Sequence, residues 1–369
     1  MNILLTDSTD IFAGGEDYVL ILAKYLRRRG HTVSVSALPG HLLLDKCASL
    51  GLPTVPIDYR GMNRVFRVAR DLRRALRART IDVVHSNANY DRTVAAIAAA
   101  WSPTRHIAGI HSTHSIQHNI THWLRNRWGI SHFITDAAAG KEVLSRVDHI
   151  SEHRITTVPI GIEETPSGER EDARRATRAR LGVNDSTIVV GNVARLVPFK
   201  GHKILLAAAH RVVQEMSDVL FPIIGDGELL ARLEEQAQTL GIADKIRFLG
   251  FQDDLHLWYP AFDIYCHSSL DMAEEMFPIA ILRALSAELP VVCTSVGGIA
   301  GMVREGISGH LVPPENPEAL AAALFAVIRD AGLRARMGEM SASLFREQFH
   351  AAAMAERVES VYLNSMESR

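Results

Sequence analysis

With only three cysteines in 369 residues, the sequence has no disulfide framework, and none of the three sits in a CxxC pair that could hold a metal. Cys266 and Cys293 fall in apolar, strand-like runs (FDIYCHSS and PVVCTS), where inert core thiols are expected. No stretch of eighteen apolar residues is present, so no segment reads as a membrane span. The opening run MNILLTDSTD reads as a short strand with an acidic end and lacks the basic start and apolar core of a secretion signal. Together these absences point to a reducing, cytoplasmic setting. GxGxxG and P-loop signatures are missing too, which argues against a nicotinamide- or ATP-dependent enzyme.

What is present is the composition of a globular protein, 47% hydrophobic and 22% charged. The net charge of -2 hides an asymmetry: residues 1–165 hold 20 Lys and Arg against 15 Asp and Glu, the remainder 20 against 27. A basic first half implies that this half meets something anionic.

The chain is too long for one ordinary core and about right for two α/β domains. Strand-like runs alternate with helical ones. MNILLTD precedes EDYVLILAKYLRRRG, HTVSVSAL follows, and IDVVHSN and HIAGIHS flank the helical DRTVAAIAAAW. Such alternation makes parallel βαβ units. The polar TPSGEREDARR, around residues 165–175, reads as a linker. Beyond it the alternation restarts with STIVVGNVAR, VLFPIIGDG, KIRFLGF, FDIYCHSS, LPVVCTS and GHLVPP. The expected fold class is therefore α/β, with two Rossmann-like doubly wound domains, residues 1–165 and 166–350, facing a central cleft. Ligands of such sheets bind beyond the carboxyl ends of the strands, so the turns there are where chemistry is sought.

Four constellations lie at those turns. Gly14 and Gly15 in AGGED let backbone N–H groups approach a ligand at a helix N-terminus, although a tight turn with no ligand accounts for them as well. In NVARLVPFKGH, Arg195 and Lys200 lie five apart in one loop. An Arg that forks onto two oxygens beside a Lys point charge suits a diphosphate, at roughly 1.5–3 kcal/mol per charge-assisted bond. Two solvated surface cations are the other reading. Gly225 and Gly227 flank Asp226, as a turn needing positive φ or against a ligand, and the Gly250–Phe251 turn is a place for a base to meet backbone groups. In EEMFPIAILRALSAELPVVCTSVGGIAG, Glu275 stands ahead of Pro278 and an apolar helix whose dipole its carboxylate complements. Arg283 inside that helix is unusual, and Gly297 and Gly298 offer N–H groups.

This second half resembles the C-terminal, donor-binding domain of family-four glycosyltransferases (glycosyltransferases group 1). There a Glu precedes Phe-Gly or Phe-Pro, a buried helix follows, and GLPVV, VGG and G-LVPP come in order. Arg195 and Lys200-Gly201 match the family's Arg…Lys-Gly pair, and Gly225–Gly227 and FLGF fall in register. The matches in the first half are looser: Gly14-Gly15, His111 at the end of IAGIHS, and VPIGI, which departs from Pro-Asn-Gly at Ile160. The resemblance covers nearly the whole chain, and five motifs in order make it specific. It implies a GT-B fold and transfer of a sugar, with retention, from a nucleotide diphosphate donor (a UDP- or GDP-sugar) to a glycan or lipid-linked acceptor. No metal or other cofactor is required. Arg195 and Lys200 would neutralise the departing diphosphate, Glu275 would hold donor-sugar hydroxyls, and His111 would hydrogen-bond the sugar near the reacting centre. Gly14, Gly15, Gly225, Gly227, Phe251, Arg283, Gly297 and Gly298 complete the expected donor contacts. Residues 351–369, with the helical MAERVESVYLNSM, would cross back to the first domain.

Two departures stand out. The family pattern is Glu, seven residues, Glu; counting from Glu275 lands on Arg283, and from Glu274 on Leu282. A cation accepts no hydrogen bond, so the ribose grip of the second Glu is absent. Glu288 replaces the Gly before Leu-Pro, and VGGIPE has become VGGIAG. The departures are open to three readings: altered nucleotide choice, a replacement contact, or lost activity. Arg283 motivates one rival, a non-catalytic nucleotide-sugar-binding protein, and a nucleotide-sugar epimerase on the same fold is another.

His111, His114, His118 and His122 follow at steps of three, four and four, so a helix from about His114 would put three imidazoles on one face. Zinc can bind such a face, but no local carboxylate or Cys joins it, and an acceptor-facing or solvated stripe is the alternative. NRVFRVARDLRRALRART makes an amphipathic helix, with Val65, Val68, Ala69, Leu72 and Leu76 opposite Arg67, Arg70, Arg74 and Arg77. Trp123 and Trp128 around Arg125 and Arg127 add aromatic and basic character. One reading is a surface that docks on anionic lipid, at about 1 kcal/mol per basic residue, which would place the protein peripherally on the inner face of the cytoplasmic membrane. An ordinary solvated helix face is the other. A slightly negative total charge and no binding motif argue against nucleic acid.

Overall fold

Several strands are short runs buried along their whole length, such as VVHS, VLFPII and VVCT. Parallel strands covered by helices on both faces require that pattern. The computed structural model describes residues 1–10, 14–112, 114–164, 167–270, 275 and 277–367. Ala13 of the glycine loop, Thr165 and Pro166 of the expected linker, and Glu274 lie outside the described residues.

The chain forms two compact units, the first made of Met1–Glu163 and Phe349–Arg369, the second of Glu164–Gln348. Unit one carries seven strands: β1 (Asn2–Thr6), β2 (Thr32–Ala37), β3 (Thr54–Pro56), β4 (Val83–Ser86), β5 (Arg105–Ile110), β6 (His132–Thr135) and β7 (Ile155–Thr157). They lie in the order β3-β2-β1-β4-β5-β6-β7, all parallel. Unit two carries β8 (Ile188–Val193), β9 (Val219–Ile224), β10 (Ile246–Phe248), β11 (Ile264–His267), β12 (Val291–Thr294) and β13 (Gly309–Val312), in the order β10-β9-β8-β11-β12-β13, also all parallel. Strands β3, β6 and β7 go beyond the sequence reading; at three or four residues they are too short to show a period.

In unit one the helix Val65–Ala78 buries Val68, Ala69, Leu72 and Leu76 against Val94, Ala95 and Ala98 of the helix Asn89–Ala99, and leaves Arg67, Arg70, Arg74 and Arg77 exposed. The C-terminal helix Ala351–Glu367 also belongs to unit one. It enters through a bridge in which Ile162 N donates to Phe349 O (2.9 Å) and Ala351 N to Ile162 O (3.0 Å). Met354, Ala355, Val358, Val361 and Tyr362 are buried, while Glu359 accepts from Arg29 Nε (2.7 Å) and lies 2.6 Å from His31 Nε2.

Two readings are corrected. Most of the expected linker is helix, Ser167–Leu181, because its arginines have acceptors to reach: Arg174 and Arg178 both pair with Asp263. The histidine stripe is not helical from His114; the helix starts at Ile120, where Asn119 caps it by accepting from His122 N (2.9 Å). Among the described residues no group of three or more His, Cys, Asp or Glu is placed to hold a metal, and no helix is long and apolar enough to cross a membrane.

Arg178 shows how unit two holds its first helix. Its side chain is 4% exposed and donates to Ala261 O (3.1 Å), Asn184 O (2.6 Å) and Thr187 O (2.6 Å) as well as to Asp263. Replacing it takes one of two arginines from Asp263, which keeps Arg174, and leaves three carbonyls without this donor. Arg178→Met is expected to lower the unfolding free energy of this unit by about 3–5 kcal/mol in urea titrations. Arg175→Met, which removes only an exposed pair with Asp172, should change it by less than about 1 kcal/mol.

Candidate functional site

In unit two the strand order reverses at β8, which has β9 on one side and β11 on the other. The crevice beyond the strand ends at such a reversal is where α/β sheets bind ligands. Backbone bonds tie the turns there into one rim. Leu196 N donates to Asp226 O (2.9 Å), Gly225 N to Gly250 O (2.9 Å) and Leu270 N to Phe199 O (2.7 Å). Two glycines permit this closeness. A Cβ on Gly201 (φ 66°) would stand 2.0 Å from Ser268 O, and one on Gly225 (φ 139°) 2.0 Å from Ala194 O.

Lys200, from the turn after β8, meets Glu275, from the segment after β11. Lys200 Nζ donates to Glu275 Oε2 at 2.5 Å, and Ser269 Oγ donates to the same oxygen at 2.6 Å. His267 Nε2 lies 3.5 Å from that oxygen and 3.0 Å from Ser269 Oγ. Burial alone would raise the Glu275 pKa, but the hydrogen bond and charge of His267, then the charge and hydrogen bond of Lys200, outweigh it and hold the carboxyl at about 2. Burial pushes His267 down, so near neutral pH the cation facing Glu275 is the lysine. Among the described residues no hydrogen bond reaches Glu275 Oε1.

The other expected donor contacts line the same rim or stand apart from it. Arg195 is exposed, with its guanidinium 5.8 Å from the Phe199 ring centre, and makes no ion pair among the described residues. Gly227 lies against Leu196 O, and Phe251 is exposed beside Gly250. Gly297 (φ 51°) and Gly298 lead from β12 into a 3₁₀ turn, and Thr294 Oγ1 donates to Ser269 O (2.5 Å), linking that strand end to the turn after β11. Arg283 is half-buried on the helix Ile279–Ser286, its charge near the Tyr259 hydroxyl, and it too makes no ion pair among the described residues.

In unit one the reversal falls between β1 and β4. His111, just after β5, has Nδ1 3.0 and 2.9 Å from the two oxygens of buried Asp136, and Nε2 3.4 Å from Asn87 Oδ1. Burial works against its imidazolium, but the charge and hydrogen bond of Asp136, with the charge of Asp7, raise the His111 pKa overall. A carboxylate on Nδ1 fixes the ring and its tautomer, with Nε2 as the working nitrogen. Beside it, Asp91 accepts from Thr6 Oγ1 (2.6 Å), Asn87 N (3.1 Å) and Ala88 N (2.9 Å). Burial, then the charge of Asp7, raises Asp91 to about 7. Gly14 and Gly15 form the first turn of the helix Gly14–Arg28. His114, His118 and His122 take no part in the His111 cluster; His118 and His122 touch each other, ring centres 5.6 Å apart.

The structure thus pairs Lys200 with Glu275 in one unit and sets His111 in the other. It adds Asp136, Asp91, Asn87, His267 and Ser269, which the sequence reading missed. The signal for His267 and Ser269 was present: CHSS ends an apolar strand on polar groups. Asp136 has a similar one, FITD, but HFIT is four residues long and unremarkable by pattern.

Comparisons with known proteins bear on the family and the fold. The model of the family "Glycosyl transferases group 1" matches residues 173–343, and that of "Glycosyltransferase Family 4" matches residues 12–165. The D-inositol 3-phosphate glycosyltransferase of Streptomyces bingchenggensis is 34% identical over 206 residues, 53% of this chain and 44% of that protein, so the match spans less than half of that relative. A phosphatidyl-myo-inositol mannosyltransferase of Mycobacterium tuberculosis is 29% identical over 344 residues, covering 89% of this chain and 87% of the relative. Among solved structures, Anabaena HepE in complex with UDP superposes with TM-score 0.84 at 21% identity, covering 99% of this chain and all of that one. A Rickettsia africae glycosyltransferase gives 0.87 at 18%, covering 100% and 99%. These likenesses establish the fold as GT-B. Because the two family models match the two halves in turn, the chain belongs to the group 1, family-four glycosyltransferases.

Proposed function

We propose that the protein moves a sugar from a nucleoside diphosphate sugar to a hydroxyl of a lipid-linked or other cell-envelope glycan acceptor, with retention at the anomeric carbon. The observation that carries this reading is the Lys200–Glu275 pair, set where the unit-two sheet reverses, with the guanidinium of Arg195 on the same turn and without an ion pair among the described residues. On this reading residues 166–350 bind the donor and residues 1–165 the acceptor.

The chemistry asked of these groups is modest. The bond from the anomeric carbon to the diphosphate oxygen breaks, the acceptor oxygen bonds to that carbon, and the acceptor proton passes to the departing diphosphate. The barrier falls as the growing phosphate charge is neutralised. Lys200 has three N–H donors and spends one on Glu275, leaving two for phosphate, and Arg195 supplies a planar fork. Glu275 turns Oε2 to the lysine and keeps Oε1 for hydroxyls of the donor sugar. The imidazole of His111, oriented by Asp136, presents Nε2 to the sugar. UDP or GDP is the expected nucleotide; the Anabaena neighbour was solved with UDP. No resident metal or cofactor is part of this reading.

For the acceptor, the names of the relatives point to inositol phosphates and phosphatidylinositol. Unit one supports an anionic lipid surface. Phe66, Trp101 and Trp128 are 76%, 99% and 71% exposed around an open groove of about 1050 Å³, with Arg70, Leu124 and Ile97 also on its wall. Arg67, Arg74 and Arg77 project from the same helix as Phe66. Apolar side chains at this exposure, ringed by cations, suit insertion among anionic headgroups.

Calorimetric titration with UDP, GDP, ADP and CMP should show one diphosphate binding to the wild type. Lys200→Ala should weaken it by about 10- to 100-fold and slow transfer by about a hundredfold or more. If the wild type binds a diphosphate but neither releases nor transfers sugar, the non-catalytic nucleotide-sugar-binding reading replaces this one; if it binds none and Arg283→Glu binds one, the active-enzyme reading falls. Retention is read by NMR, comparing the anomeric configuration of donor and product.

Sedimentation with vesicles of phosphatidylcholine alone or with phosphatidylserine should show binding only to the second. Arg67→Glu with Arg74→Glu should weaken it by roughly 30-fold or more, at about 1 kcal/mol per lost cation. Equal binding by that double variant would remove the membrane surface from the proposal.

A further inference from the structure

The C-terminal helix Ala351–Glu367 brings one polar group into the unit-one interior. The hydroxyl of fully buried Tyr362 lies 2.6 Å from Nδ1 of fully buried His85, on β4. The other nitrogen of that ring, Nε2, has no hydrogen-bond partner among the described residues. Its surroundings are defined by Gly109, on β5. A Cβ there would stand 3.0 Å from each of His85 Nε2, His111 Nε2 and Asn87 Oδ1. Three polar atoms therefore converge on a position that holds no side chain. Tyr18 braces the group from the helix Gly14–Arg28, its ring edge-on to His111 (4.7 Å between centres) and to His85 (6.4 Å).

Elementary proton accounting orders these contacts. Burial raises the Tyr362 hydroxyl far above its usual range, so it stays protonated and has a proton to donate to Nδ1. Burial, followed by the charges of His111 and His106, pushes His85 down to about 3, so its ring is neutral. With Nδ1 accepting from tyrosine, the single ring proton of His85 must sit on Nε2. That N–H turns its positive end towards the space where His111 Nε2 lies.

We propose that Tyr362 and His85 are positioning residues for His111: the tyrosine hydroxyl fixes His85 as the Nε2–H tautomer, and this N–H opposes a second proton on His111. The other groups facing His111 are Asp136 after β6 and Asp7 after β1, which favour its imidazolium, and Arg92 of the helix Asn89–Ala99, which opposes it. Tyr18 and Asn87 face it without charge. His106, on β5, is occupied by Ser86 Oγ (2.9 Å) and Gly129 O (2.7 Å). Loss of the Tyr362 hydroxyl frees His85 to move its proton to Nδ1. Nε2 then becomes a lone pair that welcomes a proton on His111. The residues that follow unit two thereby set the acidity of a histidine in unit one. The consequence for catalysis rests on the role proposed for His111 above; the tautomer chain does not.

The test is long-range proton–nitrogen NMR of imidazole groups in the full chain across pH, with signals assigned by their loss in His85→Gln and His111→Gln. In the wild type, His85 is expected neutral with its proton on Nε2. In Tyr362→Phe the proton shifts towards Nδ1 and the His111 pKa rises by about half a unit, roughly threefold in its protonation equilibrium. The pH–rate profile of transfer moves in the same direction. A wild-type His85 protonated on Nδ1 overturns the proposal without any variant. So does an unchanged His111 titration in a folded Tyr362→Phe protein. If His111→Ala leaves transfer intact, the catalytic role of His111 falls while the NMR result still decides the tautomer chain.

Discussion

A carboxylate buried to 5% exposure must find partners, and in this protein Glu275 finds them on two strand ends. A lone buried charge costs several kcal/mol, so the segment after β11 holds its course only if Lys200 from the turn after β8 arrives to meet it. That requirement brings the turn after β8 close enough to β11 for Gly201 to lie against Ser268 O and for Leu270 N to bond Phe199 O. Ser269 and His267 complete the set around Oε2, and Thr294 ties β12 to it. The neighbouring glycine turns are then fixed in reach of one another. The rim is thereby organised in advance, with one cation restrained and one, Arg195, without an ion pair among the described residues.

Unit one uses a carboxylate differently. Asp136 holds Nδ1 of His111 and leaves Nε2 to the space beside Asn87 and His85, while Asp91 satisfies backbone and hydroxyl donors from β1 and the turn after β4. The first arrangement orients a titratable ring; the second closes the crevice where the sheet reverses. The two carboxylates differ because one meets an imidazole and the other accepts only from neutral donors, so that burial, then the charge of Asp7, raises Asp91 to about 7. Environment, not residue type, assigns their roles.

Much of this was legible in the chain. Helix Val65–Ala78 declared its buried stripe through Val68, Leu72 and Leu76, and its arginine face through a strict spacing. Gly201 and Gly225 announced turns, because no other residue tolerates both their φ and their closeness to carbonyls. The cations Arg195 and Lys200 stood out by charge at a strand end. Ser167–Leu181 misled, since its polar sequence has the look of a linker. Only the acceptors on Asp263 and the 184–187 turn explain why it folds. His114 and His118 misled in the opposite sense, because spacing suited to a helix does not make one without a start signal, and Asn119 supplies the cap five residues later.

By itself the sequence determined the alternation of strand and helix, the two halves, and the residue types gathered at strand ends, because periodicity and turn chemistry are local properties. The tertiary structure alone decided who meets whom. Glu275 and Lys200 are 75 positions apart, His111 and Asp136 are 25, and His85 and Tyr362 are 277. Strand order brings such pairs together, and strand order follows from which buried faces pack, a sum over the whole chain that no single motif contains.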